Sequence, residues 1–153
     1  MVEWQTLGNA DPPDRYRLTY NLRSIIGFNA QEQPTYHRGF DVEVRFLATY
    51  PISEPTVIVA SEPRPLHPNI WSNGHYCLYG TQHWIPGIGV SLDALCFMIG
   101  EIIAFQEVNL SSRANADARI TNWVRNNLIF ISLSKVANPV DNSPIRLPDA
   151  ADS

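Results

Sequence analysis

The chain has 153 residues, 44% of them hydrophobic and 17% charged, which is enough to bury one sizeable core and requires no second domain. A formal net charge of −4 speaks against a nucleic-acid binder, which needs a basic face for phosphate contacts. Two cysteines, Cys77 and Cys96, make no disulfide framework and suit a reducing compartment. With no leader pattern and no apolar run of the roughly 18 residues that span a bilayer, the expectation is a cytoplasmic protein without a membrane partner.

In chain order, residues 1–14 hold Gly8 and Asp11-Pro12-Pro13-Asp14, which break a helix before it propagates. An irregular segment with at most one short helical turn is expected there. Tyr16, Leu18, Tyr20 and Leu22 alternate with Arg15, Arg17, Thr19 and Asn21, a period of two that predicts a half-buried strand. Phe40, Val42, Val44 and Phe46 repeat the pattern against Asp41, Glu43 and Arg45. Thr56 to Ala60 is a short apolar run between Pro55 and Pro63, read as a buried strand. Three strands with short connections predict an antiparallel meander with one face on a core.

Leu92 to Phe105 supplies the cover. Leu92, Leu95, Cys96, Ile99, Ile102 and Ile103 fall on helical spacing, Ser91 caps the start, and Asp93 suits the positive helix end. Phe97, Met98 and Phe105 make this helix apolar nearly all round, so it is expected to be central and buried. A second helix is predicted from about Arg113 to Asn127, with Ala116, Ile120, Trp123 and Val124 on one side. Leu128 to Leu133 fits either its continuation or an extended segment. The expected fold is α+β, an antiparallel β-meander packed on a central helix, with the domain over 15–135 and a flexible tail over 136–153.

Chemistry concentrates in His67 to Pro86, HPNIWSNGHYCLYGTQHWIP. Asn73-Gly74 is a tight-turn signal because both residues tolerate positive φ, and Cys77 follows it. Pro68 fixes its own φ and biases His67 toward an extended conformation, which makes His67-Pro68-Asn69 a shaped loop. A thiolate suits acyl transfer through a thioester, and a held amide such as that of Asn69 is the kind of donor that stabilises the charge developing on an acyl oxygen.

His67-Pro68-Asn69-Ile70, Ser72-Asn73-Gly74, Cys77-Leu78, then Trp84 and Pro86 together resemble the active-site region of ubiquitin-conjugating enzymes. Tyr50-Pro51-Ile52-Ser53-Glu54-Pro55 followed by Thr56-Val57-Ile58-Val59 is similar to the family's proline-rich loop and third strand. The resemblance covers residues 15 to about 127. It implies that Cys77 carries a ubiquitin-like modifier as a thioester and that Asn69 assists transfer to an amine, with His67, Pro68 and Leu78 in support. It also implies an activating-enzyme-like protein and a ligase or substrate protein as partners, with Ile52, Trp84 and Pro86 as apolar anchors, Trp84 fitting the core equally well, and no cofactor. The family's long first helix has no counterpart in residues 1–14, and Glu107, Asn109 and Asp117 are candidates for helping to deprotonate the amine. The Ala114–Ala118 run and the missing helix are more similar to divergent bacterial ubiquitin-conjugating-enzyme-like proteins of antiphage operons.

His67, His75, Cys77 and His83 lack the paired spacing of a zinc site, so no metal is expected; His67 reads as a loop brace, His75 and His83 as exposed, and Cys96 as structural. A cysteine hydrolase would need a histidine base beside Cys77. A non-catalytic binding module on the same scaffold is the main alternative. Ten of the eleven basic residues are arginine, leaving Lys135 as the one lysine, which fits either genomic bias or a protein that carries an amine-reactive thioester.

Overall fold

The computed structural model describes residues 2–78, 87–114 and 117–137, with side chains described as far as 127 in the last segment. Four strands, Val2–Thr6 (β1), Arg15–Phe28 (β2), Pro34–Arg45 (β3) and Thr56–Val59 (β4), form an antiparallel sheet in the order β1-β2-β3-β4. The period-two alternation puts Leu18 and Tyr20 of β2, Phe40, Val42 and Val44 of β3, and Val57 and Val59 of β4 on one buried face. In register, Leu18 lies opposite Val42, Tyr20 opposite Phe40, and Val44 opposite Val57.

β1 corrects the expectation of an irregular start. Helix breakers do not forbid an extended strand, which needs only a free sheet edge, and β2 offers one: Val2 pairs with Tyr20 and Trp4 with Leu18. Leu7 N–H then donates to Arg15 C=O at 2.9 Å and Gly8, at φ +80°, turns the chain. An edge strand thus occupies residues 2–6, and they form no first helix. β2 also runs past Leu22. Register shifts between Tyr20 and Arg23 and between Ile25 and Gly27 break the alternation there, so consecutive Ser24 and Ile25 are both buried.

Leu92–Ile103 (α1) crosses the buried face. Ser91 Oγ accepts the Ala94 N–H at 3.4 Å, the N-cap that the sequence predicts. Leu95, Met98, Ile99, Ile102 and Ile103 point into the sheet, and Tyr20 Oη donates to Cys96 C=O at 2.8 Å. The helix is one-sided rather than buried all round: Phe97 is 58% exposed. It also stops two residues short of the predicted end. Phe105 N–H donates to Ile102 C=O (3.1 Å) and Gln106 N–H to Glu101 C=O (2.7 Å), a Schellman closure with Phe105 at φ +58° in the place glycine usually takes.

Ala118–Ala137 (α2) begins five residues after the predicted start because Asp117 is its cap. Asp117 Oδ1 accepts the Arg119 N–H at 2.8 Å, and the Arg119 guanidinium with these backbone donors holds the carboxyl below its usual range. Leu128–Leu133 continues the helix. Of the tail expected over 136–153, residues 136 and 137 belong to α2 instead, and 138–153 lie outside the described residues. A second, smaller apolar cluster joins Ile25 of β2, Phe105, and Ile120 and Val124 of α2, with Phe28, Tyr36, Leu66 and Trp123 packed on it. Among the described residues no helix is long and apolar enough to cross a membrane.

Candidate active site

The loop after β4 folds back on the sheet in two steps. Val59 N–H donates to Gly74 C=O (2.9 Å) and Tyr76 N–H to Val57 C=O (2.9 Å), so residues 74–76 run along β4. Gly74 N–H closes a turn onto Trp71 C=O at 2.8 Å, and His75 N–H donates to Asn73 Oδ1 at 3.2 Å. Of the predicted Asn73-Gly74 pair only Gly74 has positive φ, at +90°, and a Cβ there would come within 3.3 Å of Val59 O. This turn brings Ile70 and Tyr76 into a bridge, and Cys77 emerges directly from it.

Asn69 is tied to Cys77 through the backbone: the Cys77 N–H donates to Asn69 C=O at 2.8 Å. Asn69 is fully buried, and three of its four polar functions are engaged. Its N–H donates to His67 Nδ1 (3.0 Å), its C=O takes the Cys77 N–H, and its Oδ1 accepts the Asn109 N–H (2.9 Å). Because a backbone N–H faces Oδ1, the amide is set with its oxygen on that side. Nδ2 is buried with no hydrogen-bond partner among the described residues. A buried donor left in this way costs about 1–3 kcal/mol in the resting protein.

His67 is the brace. It is 2% exposed, and its ring lies 4.4 Å from Phe105 between centroids. Burial drives its pKa down to about 3, with the Glu107 backbone opposing weakly, so the imidazole is neutral and Nδ1 is free to accept the Asn69 N–H. Nε2 has no partner in hydrogen-bond geometry among the described residues. Pro68 is buried within the same loop. The structure therefore brings His67, Pro68, Asn69 and Cys77 together.

Leu78 follows Cys77 but is wholly buried in the main core. Its side chain anchors the segment that carries Cys77. Cys77 itself is 7% exposed, Cys96 is half-buried on α1, and the two form no disulfide. His75 is half-buried rather than exposed, because its backbone bridges to Ile58 of β4. His83, Trp84 and Pro86 lie outside the described residues. Among the described residues no group of three or more His, Cys, Asp or Glu is placed to hold a metal ion.

Ile52 is 75% exposed on the loop before β4. Gly87 N–H donates to Pro51 C=O at 2.9 Å, which sets the segment before α1 against that loop, and Ile88 is 74% exposed beside it. Tyr50 Oη accepts the Val90 N–H at 2.7 Å and bonds the Val90 carbonyl; a Cβ on Gly89 would lie 2.7 Å from that hydroxyl, so only glycine fits the closure. Sequence reading missed Ile88, and it named Asn109 only as a candidate base, not as the residue whose N–H meets Asn69 Oδ1. An isolated isoleucine between two glycines carries no periodic signal, whereas Asn-Leu-Ser at 109–111 is readable as an Asx turn.

No family model matches the chain. It is 33% identical over 119 residues to the probable ubiquitin-conjugating enzyme E2 17 of Arabidopsis thaliana, covering 74% of this chain and 70% of that protein. It is 36% identical over 99 residues to the probable ubiquitin-conjugating enzyme E2 W-A of Danio rerio, 58% of this chain and 63% of that protein. A solved ubiquitin-conjugating enzyme E2 domain of Toxoplasma gondii shares 20% identity with a TM-score of 0.50 over 88% of this chain and 83% of that one, a likeness of fold.

Proposed function

The chain belongs to the ubiquitin-conjugating enzyme family, and from that membership we propose that it carries a ubiquitin-like modifier as a thioester on Cys77 and passes it to an amine. The observation that carries this reading is the bond from the Cys77 N–H to the Asn69 carbonyl, which couples a nucleophile to a residue whose buried amide donor has no partner among the described residues.

In loading, the Cys77 thiolate attacks the modifier's thioester on an activating-enzyme-like protein. The new C–S bond forms, the old one breaks, and the departing thiolate takes a proton from solvent. In discharge, an amine attacks the Cys77 thioester carbonyl, the C–S bond breaks, and an amide forms. The amine's proton passes to a base, and the negative charge on the carbonyl oxygen meets Asn69 Nδ2–H. Asp117 is poorly suited as that base, being held by Arg119 at 3.0 Å with its acidity increased. Asn109 carries an amide whose oxygen is occupied by the Ser111 N–H. Glu107 is the carboxylate of the three that suits the role. Ile52 and Ile88 form an apolar pair on adjoining loops suited to anchoring a ligase or substrate protein, with Trp84 and Pro86 assigned to the same surface by resemblance.

The test is charging with an activating enzyme, modifier and ATP, followed by non-reducing gels. Wild type and Cys96→Ala are expected to give an adduct that thiol reductants cleave, and Cys77→Ala to give none. An adduct that persists in Cys77→Ala would remove Cys77 as the carrier.

A further inference from the structure

The loop that follows α1 returns to the site through one residue. Phe105, at positive φ, reverses the chain, and four residues later the Asn109 N–H reaches Asn69 Oδ1 at 2.9 Å. What aims that N–H is the turn Asn109 begins. Its Oδ1 accepts the Ser111 N–H at 2.9 Å, its C=O accepts the Ser112 N–H at 3.1 Å, and Ser112 Oγ accepts the Ala114 N–H at 3.2 Å. An asparagine side chain bonded to the N–H two residues on locks its own backbone. The direction of the Asn109 N–H is therefore set by the Asn109 side chain.

The consequence lies at Asn69. An amide side chain can sit in two orientations that differ in which end donates. With the Asn109 N–H fixed opposite one end, only the oxygen fits there, and the NH₂ is left as the donating end. Were the 109–112 turn to loosen, the amide would turn, and the donor would be present in the loop without being placed.

We propose that Asn109 is a positioning residue: its side-chain turn holds the backbone N–H that orients Asn69, so that Nδ2 is kept as the donor for the thioester oxygen. The inference rests on the reading of Asn69 as that donor. Asn109 touches no reacting atom in this account. Its effect falls on discharge, where charge builds on the acyl oxygen, rather than on loading.

The experiment is single-turnover discharge of preloaded protein to a small amine, measured beside the loading rate and a melting curve, for wild type, Asn69→Ala, Asn109→Ala, Asn109→Ser and the Asn69→Ala/Asn109→Ala double variant. Asn109→Ala removes the acceptor for the Ser111 N–H and is expected to slow discharge roughly tenfold, the scale of one neutral hydrogen bond, with loading unchanged. Asn109→Ser, whose hydroxyl makes the same turn without adding charge, recovers most of the rate. The double variant is no slower than Asn69→Ala alone, because the two act as one unit. Slow Asn69→Ala with Asn109→Ala at the wild-type rate overturns the positioning role and leaves the proposed function standing. Asn69→Ala at the wild-type rate overturns the reading beneath it. Loading and discharge falling together with the melting temperature, without recovery in Asn109→Ser, would also overturn the inference, since a merely structural role behaves that way.

Discussion

The two apolar clusters of this molecule are built on opposite terms. The larger, between the sheet and α1, is aliphatic and aromatic side chains on regular elements: Leu18, Val42, Leu95, Ile99 and Ile102 are fully buried there. Each such side chain contributes about 1.5–3 kcal/mol by leaving water. The smaller, where the tip of the β2–β3 hairpin meets α2, surrounds Phe105 in a left-handed conformation and presses it on a buried, neutral His67. Beside it sits Asn69, whose Nδ2 has no partner among the described residues. Among the described residues of the main core, Tyr76 Oη is the matching buried atom without a partner, and it adjoins Cys77. The left-handed Phe105 and the buried atoms of His67, Asn69 and Tyr76 that lack a partner among the described residues thus lie at or beside the loop that carries Cys77, and the large core supplies the stability that tolerates them.

Phe105 gives the largest expected effect. Its ring is fully buried against His67 and Trp123, at 4.4 and 5.8 Å between centroids, and Phe105→Ala is expected to cost about 3–5 kcal/mol. The left-handed backbone separates strain from packing. Glycine adopts φ +58° without the penalty an L side chain meets, so Phe105→Gly should be about 1 kcal/mol more stable than Phe105→Ala although it removes one more carbon. Urea midpoints of the two variants check the order. Alanine the more stable of the pair would mean that the Schellman closure stores no strain.

Ile99→Ala tests the other cluster. Ile99 is fully buried between α1 and the sheet, and the truncation is expected to cost about 2–5 kcal/mol. In this region the loss should appear in stability alone: at a temperature where the variant is folded, loading and discharge stay within about twofold of wild type, because additivity holds for sites that share no partners. A selective loss of discharge in Ile99→Ala would dissolve the distinction between the clusters.

The large core was legible and the small one was not, for physical reasons. Alternation over Arg15–Leu22 and Phe40–Phe46, and the helical spacing from Leu92, report burial directly, since one face of each element meets the core. The small cluster is assembled from breaks in such patterns. The β2 bulges bury Ser24 and Ile25 in succession, and Phe105 continues the apolar pattern of α1 although the helix has already ended. No residue type announces a left-handed phenylalanine. The His67 to Cys77 loop was readable because proline, asparagine and glycine declare their backbone needs in the sequence, whereas β1, with two alternations, was too short to stand out from its polar neighbours. Asp117 could have placed the start of α2, being a capping residue directly before the periodic run.

The smallest expected effect concerns pH and reads the burial of His67 itself. In the unfolded chain this imidazole takes a proton as pH falls below about 6.5, whereas in the folded protein burial holds its pKa at about 3. Protons therefore bind the unfolded state first, and stability contributed by the neutral ring is complete above about pH 6.5 and declines as pH falls toward 3, at up to about 1.4 kcal/mol per pH unit. Carboxylates also titrate in this range, so the informative quantity is a difference. His67→Asn keeps an acceptor near the Asn69 N–H and has no proton to gain. The unfolding free energy of wild type minus that of His67→Asn should accordingly shrink with that slope between pH 6 and 4.5 in urea titrations. The carbon-bound ring protons of His67 should show no titration over the same range by NMR. A difference that stays level with pH would mean that the ring is protonated or hydrated in the folded protein, and His67 could not then be the neutral acceptor that holds Asn69.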